Sequence, residues 1–128
     1  MSTMTTSVES VLNLSEAMIN LDGDAELLEE IVEIFVDNAN DQLLSIQNCI
    51  EAADIKQVAV QAHGMKGGAS NFGAKMFVRS ALKLELKAKD GNLDGAQELL
   101  DGMKAAFEEL KEVALVINWD EVARGWED

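Results

Sequence analysis

Proline and tyrosine are absent from this chain, histidine and cysteine occur once each, and aromatic residues make up 5%. With few aromatics, no tyrosine and no proline, the composition is poor material for a β-sheet and suits uninterrupted helices. A single cysteine, Cys49, excludes a disulfide framework within the chain and fits a reducing compartment, where it reads as a core residue. One histidine and one cysteine cannot assemble a zinc site of the usual kind. The opening residues, Met1 to Ser10, have neither a basic nor an apolar signal region, and no apolar run approaches the length of a membrane span. A soluble, cytoplasmic protein is therefore expected, in which the Asn13-Leu14-Ser15 glycosylation triplet has no meaning. Bases are scarce too: 10 Lys and Arg against 24 Asp and Glu give a net charge of −14, which argues against nucleic acid or an anionic membrane as partner.

What is present points to packed helices. At 128 residues and 48% apolar content the chain can bury one ordinary core and forms a single domain. Residues 1–13 read as a flexible lead-in and Ser15 to Asn20 as a short helix capped by Ser15. Asp24 caps a long helix whose apolar stripe runs Leu28, Val32, Phe35, Ala39, Leu43, Ile46, Ile50, Ala53. Leu27, Ile31 and Ile34 lie off that stripe, with the short helix as their expected cover and a partner protein as the alternative. Asp54 opens a third helix ending near Ser70-Asn71, and Phe72 or Gly73 begins a fourth with Phe77, Ala81, Leu84 and Ala88 inward. Leu82 and Leu86 lie off its stripe, which predicts burial on more than one side. After the Asp90-Gly91 break, Asn92 is read as the cap of a helix carrying Leu93, Ala96, Leu100, Met103, Phe107, Leu110, Ala114 and Ile117. The four long helices predict an all-α, antiparallel up-down four-helix bundle over 14–117, with 118–128 as a tail whose Trp119 and Trp126 pack on its outside. The starting methionine and complete set of helices favour a free-standing protein over a segment excised from a larger one, and a monomer is expected.

The chemistry gathers in the third helix. Val58, Ala62, Met65 and Ala69 share its buried face, which turns His63, about 100° round from Ala62, sideways or outward. Around the imidazole stand Ala59, Val60, Lys66 and Gly67, with Lys56 and Ser70 a turn further out. Gly64, Gly67 and Gly68 each cost a helix roughly 1 kcal/mol relative to alanine, so they bare a surface rather than serve the helix. Seven of the ten bases fall between Lys56 and Lys89 against one acid, Glu85, so this segment is +6 within a chain whose remainder is −20. That local field suits an arriving phosphoryl group. An imidazole uncoupled from a carboxylate titrates near 6.5 and is mostly neutral at pH 7, so it needs no base to act as a nucleophile.

The run Ala62-His63-Gly64-Met65-Lys66-Gly67, followed by Phe72-Gly73-Ala74, resembles the signature of histidine-containing phosphotransfer (HPt) domains of multistep phosphorelays. Met65 and Phe72 stand where leucine is usual and Gly64 where a hydroxyl residue is common. Phe35, the Leu84-Glu85 pair and the Asp90-Gly91 break extend the likeness over roughly residues 20 to 112. The resemblance implies that His63 is the phosphoacceptor, that Lys66 helps hold the phosphoryl group, and that Gly67 lets a partner approach. Lys56, Ala59, Val60, Gly67 and Ser70 would form the docking surface. It further implies a carrier, not an enzyme, that exchanges phosphate with aspartates of response-regulator receiver domains and a hybrid sensor kinase. The chain would need no cofactor, the magnesium being on the receiver.

Rival chemistries lack parts. Gly68 to Lys75 comes one residue from a phosphate-binding loop, but lysine does not directly follow Gly73 and no strand precedes it, so phosphorylation from ATP is not expected. Asp22, Asp24, Glu26 and Glu33 imitate a calcium loop with Leu27 where glycine is required. A helical binding module that regulates a signalling partner without taking up phosphate remains the alternative, and a receiver phosphatase is a further one.

Overall fold

The computed structural model describes residues 11–127, and of residues 126 and 127 the backbone only. Among the described residues there are six helices and no strand: α1 (Leu14–Asn20), α2 (Ala25–Glu51), α3 (Ile55–Ser70), α4 (Lys75–Lys89), α5 (Ala96–Val116) and α6 (Trp119–Glu127). The fold is all-α. Side-chain oxygens start four of the helices: Asn13 accepts from the Glu16 amide at 3.0 Å, Asp24 from Leu27 at 2.9 Å, Asp54 from Gln57 at 3.2 Å and Asn118 from Glu121 at 3.1 Å. Each satisfies one of the amides that a helix start leaves without a partner. The cap of α1 is thus Asn13, not the expected Ser15. Nor does Asn92 cap α5: it closes a local turn onto the Asp94 amide, and the helix begins only after Gly95, whose φ of 77° suits a residue without a Cβ.

Packing joins α3 to α4, α4 to α5, and α2 to both α3 and α5, while α1 and α6 rest on α2. The inward stripes read from the sequence converge on Phe35. Its ring meets Phe72 and Phe77 edge to face, with centroids 5.2 and 5.4 Å apart, and Phe107 at 6.4 Å. Gly68 passes directly over this ring, where a Cβ would lie 3.6 Å from it, so Phe35 supports the histidine helix from beneath.

Two expectations are corrected, and the one about the tail is met at Trp119. Residues 1–10 of the expected lead-in lie outside the described residues, but Val11 and Leu12 are buried, and the Asn13 amide donates to the Gly73 carbonyl at 3.0 Å. The lead-in therefore does not extend to residue 13. The C-terminal tail is helical as α6, and Trp119, Val122 and Ala123 pack against the core; the Trp126 side chain lies outside the described residues. Finally, the off-stripe apolar residues remain uncovered: Leu27, Ile34, Leu82 and Leu86 are all exposed, while Ile31 is half-buried. Among the described residues neither α1 nor a second layer of helices closes over them.

Candidate functional site

α3 carries His63 on the side away from Val58, Ala62, Met65 and Ala69, all of which are buried. The imidazole is 64% exposed, as its helical position predicted. It is not uncoupled from a carboxylate, however. His63 Nδ1 lies 2.9 Å from Oε2 of Glu85 on α4, and that side chain is almost fully buried. The same carboxylate meets the Lys66 ammonium at 2.8 Å through Oε1 and the Lys89 ammonium at 2.9 Å through Oε2. The contacts of Lys66 and Lys89 with this carboxylate are ion pairs. One buried anion thus gathers three cationic or potentially cationic groups around the histidine.

Two opposed effects set the ionisation of Glu85. Burial favours the neutral acid, but contacts with Lys66, then Lys89, then His63 outweigh it and lower the carboxyl from 4.5 to about 2. Glu85 is therefore an anion at neutral pH, able only to accept hydrogen bonds, so the short contact requires the proton on His63 Nδ1. In the neutral ring the Nε2 atom then carries the free lone pair. Fixing the tautomer through a partner on one ring nitrogen while the other does chemistry is a recurrent use of histidine.

The other residues singled out by sequence divide into groups. Lys66 joins His63 through Glu85 and is mostly shielded. Gly67 is open: a Cβ there, or on Gly64, would meet no atom within 4 Å. Lys56, Val60 and Ser70 are exposed, and Ser70 Oγ donates to the Gly67 carbonyl at 2.8 Å. Ala59 is half-buried against the core, so it is a packing residue more than a docking one. Val60 and Gly64 border a groove between α2 and α3 with Asp41, Gln42 and Ser45. Because Gly64 and Gly67 have no packing role, the double variant Gly64→Ala/Gly67→Ala is expected to be more stable by about 1 kcal/mol per site, read as a raised melting temperature.

Sequence reasoning did not give Glu85 or Lys89 a role in the site. The available signal was that Glu85 is the sole acid among seven bases between residues 56 and 89, beside the core residue Leu84. Among the described residues no group of three or more histidine, cysteine, aspartate or glutamate side chains is placed to hold a metal ion. No helix among them is long and apolar enough to cross a membrane.

Comparison with known proteins bears on the fold and the family. The fold superposes on the crystal structure of histidine-containing phosphotransfer protein B from Pseudomonas aeruginosa PAO1 with a TM-score of 0.76, covering 89% of this chain and 96% of that one at 24% identity. It superposes on the X-ray structure of a rice protein with a TM-score of 0.75 at 17% identity, covering 99% of this chain and 90% of that one. At such identities these likenesses concern the fold alone. In sequence the chain is 25% identical over 101 residues to the phosphorelay intermediate protein rdeA of Dictyostelium discoideum, covering 77% of this chain but 40% of that protein's length. The Hpt domain model matches residues 30–113, which include His63, Lys66, Glu85 and Lys89. The chain belongs to the Hpt domain family.

Proposed function

We propose that this protein is a phosphorelay carrier in which His63 accepts a phosphoryl group from a receiver-domain aspartate and passes it to another. The observation that carries this reading is the 2.9 Å contact from His63 Nδ1 to Glu85, which in the neutral imidazole places the lone pair on Nε2 of an exposed ring. The Nε2 lone pair attacks the phosphorus of an aspartyl phosphate. The N–P bond forms as the P–O bond to the aspartate breaks, and the carboxylate departs with the bonding pair. No proton has to move, because Nδ1 already holds its own. The ring gains positive charge and Glu85 offsets it through that N–H, while the Lys66 ammonium, within one turn, attracts the phosphoryl oxygens. Transfer to the next receiver is the reverse sequence.

The surroundings suit approach by a second protein. Gly64 and Gly67 keep the surface beside the ring low, and the exposed Ile34 and Val60 give a partner apolar contacts along the α2–α3 groove. Lys56 and Ser70 extend that surface. In this reading the four long helices form the antiparallel up-down bundle, and the protein acts as a cytoplasmic monomer between a hybrid sensor kinase and a response regulator. It is a carrier rather than an enzyme, and the magnesium ion belongs to the receiver.

Incubation with a phosphorylated receiver domain tests the proposal. The expected result is an acid-labile, base-stable label on His63 Nε2 that is absent from His63→Gln. Label persisting on that variant refutes the assignment, and release of free phosphate without label favours a receiver phosphatase.

A further inference from the structure

α4 presents two regular stripes. Phe77, Ala81, Leu84 and Ala88 enter the core. On the opposite side Lys75, Arg79, Leu82, Leu86 and Lys89 recur at alternating intervals of four and three residues, the spacing at which one helix offers a continuous seam to another. The two leucines at its centre are 37% and 54% exposed, and Lys75, Arg79 and the flanking Lys83 are exposed as well. The one acid of this helix, Glu85, is buried and already engaged with Lys66, Lys89 and His63. At its N-terminal end the seam opens into a groove of ≈ 310 Å³ floored by Ala74, Val78 and Leu82. There Lys75 already takes a carboxylate, that of Glu16 on α1, at 3.2 Å.

We infer that the outer seam of α4 docks an acidic amphipathic helix of a partner protein, its apolar side on Leu82 and Leu86 and its carboxylates on Arg79, Lys83 and Lys75. Charge decides the occupant. A chain of net charge −14 concentrates seven of its ten bases between residues 56 and 89, so an acidic segment is attracted to this helix and repelled from most of the remaining surface. A second copy of the chain carries the same −14 and is repelled as a whole. An anionic membrane offers the same attraction to the cations, but two partly exposed leucines give little apolar area to insert, and the rest of the molecule opposes it. A helix in a seam, anchored at three- and four-residue intervals, fits both the spacing and the charge. This surface goes beyond the phosphocarrier reading and does not depend on His63.

The test is a titration of the isotope-labelled full chain, followed by NMR, with a synthetic peptide of about 18 residues, five helical turns, bearing leucines at three- and four-residue spacing and glutamates beside them. Saturable binding is expected, with shifts centred on residues 75–89. Leu82→Ser/Leu86→Ser should weaken it about tenfold, and Arg79→Glu/Lys83→Glu at least as much, with most of the salt dependence lost. A peptide of identical composition with its leucines moved off the stripe should bind at least about tenfold more weakly. His63→Gln should bind like the parent, so this result is independent of whether His63 carries phosphate. Absence of saturation, shifts centred elsewhere, or equal binding of the rearranged peptide overturns the inference. Binding of phosphatidylglycerol vesicles through the same residues without binding of the peptide also overturns it, and gives the seam to a membrane.

Discussion

Glu85→Leu is expected to slow phosphoryl transfer through His63 roughly 100-fold, at the upper end of what loss of a positioning partner to a functional imidazole costs. The variant removes the side-chain acceptor of Nδ1–H, so the ring can rotate and exchange tautomers, and the positive charge that develops on phosphorylation loses the anion beside it. Stability should change far less than activity. Replacing a buried ionic cluster by an apolar side chain of similar volume is often neutral, and the cations it releases can reach water: Lys89 is 60% exposed and Lys66 has a flexible stem. Glu85→Gln separates the two roles of the carboxylate, since an amide oxygen still accepts from Nδ1 but carries no charge. Its transfer rate should fall between those of the parent and the leucine variant. Single-turnover transfer from a phosphorylated receiver, measured alongside thermal melts, checks the ordering. Equal loss of melting temperature and activity would mean that Glu85 serves the fold and not the ring. The same carboxylate predicts a pH dependence. Its value of about 2 in the folded state, against 4.5, means that its stabilisation is fully present above pH 4.5 and is lost as pH falls toward 2. The parent protein should therefore lose on the order of 3 kcal/mol more than Glu85→Gln across that window, as read from denaturant titrations at each pH.

Gly73→Ala is expected to destabilise the protein by roughly 3 to 5 kcal/mol, from a strained backbone conformation together with a clash that cannot relax cheaply. Gly73 has φ of 72°, where an L side chain is already disfavoured, and an added Cβ would lie 2.6 Å from the Asn13 carbonyl oxygen and 3.0 Å from its Cβ. The obstacle is backbone, so it cannot swing aside as the end of a long side chain would. Relief requires residues 11–13 to lift away, which breaks the hydrogen bond from the Asn13 amide to Gly73, disturbs the cap of α1 and exposes Val11 and Leu12. The contrast with the glycines of α3 is the sharper test: alanine at Gly64 or Gly67 meets open space and should stabilise. Urea unfolding of the three single variants under one condition checks both signs. A Gly73→Ala change within 1 kcal/mol of the parent would mean that the junction with Asn13 is not held in the native protein.

Much of the helix pattern was legible because its causes are local. A cap needs an oxygen two or three residues before the amide it satisfies, and so Asp24 and Asp54 mark their helices in the sequence. The inward stripes from Leu28 to Ile46 and from Ala96 to Leu110 follow from the helical period alone. Failures came where a competing local bond took the expected cap, as at Asn92, or where a segment without apolar periodicity was held by a distant partner, as at Val11 to Asn13.

By itself the sequence determined that this is a helical, strongly acidic chain whose lone imidazole stands clear of a helix's buried face beside a lysine and two unburdened glycines. Those properties follow from residue type and a period of 3.6, which act over a few residues. Only the tertiary structure decided which nitrogen of His63 is free, because that depends on a carboxylate 22 residues away on another helix. It likewise decided that Lys66 and Lys89 share that carboxylate, that Gly73 must make room for Asn13, and that Leu82 and Leu86 stay exposed. Each of these is a meeting of residues whose encounter is fixed by how helices pack, and no spacing along the chain encodes it.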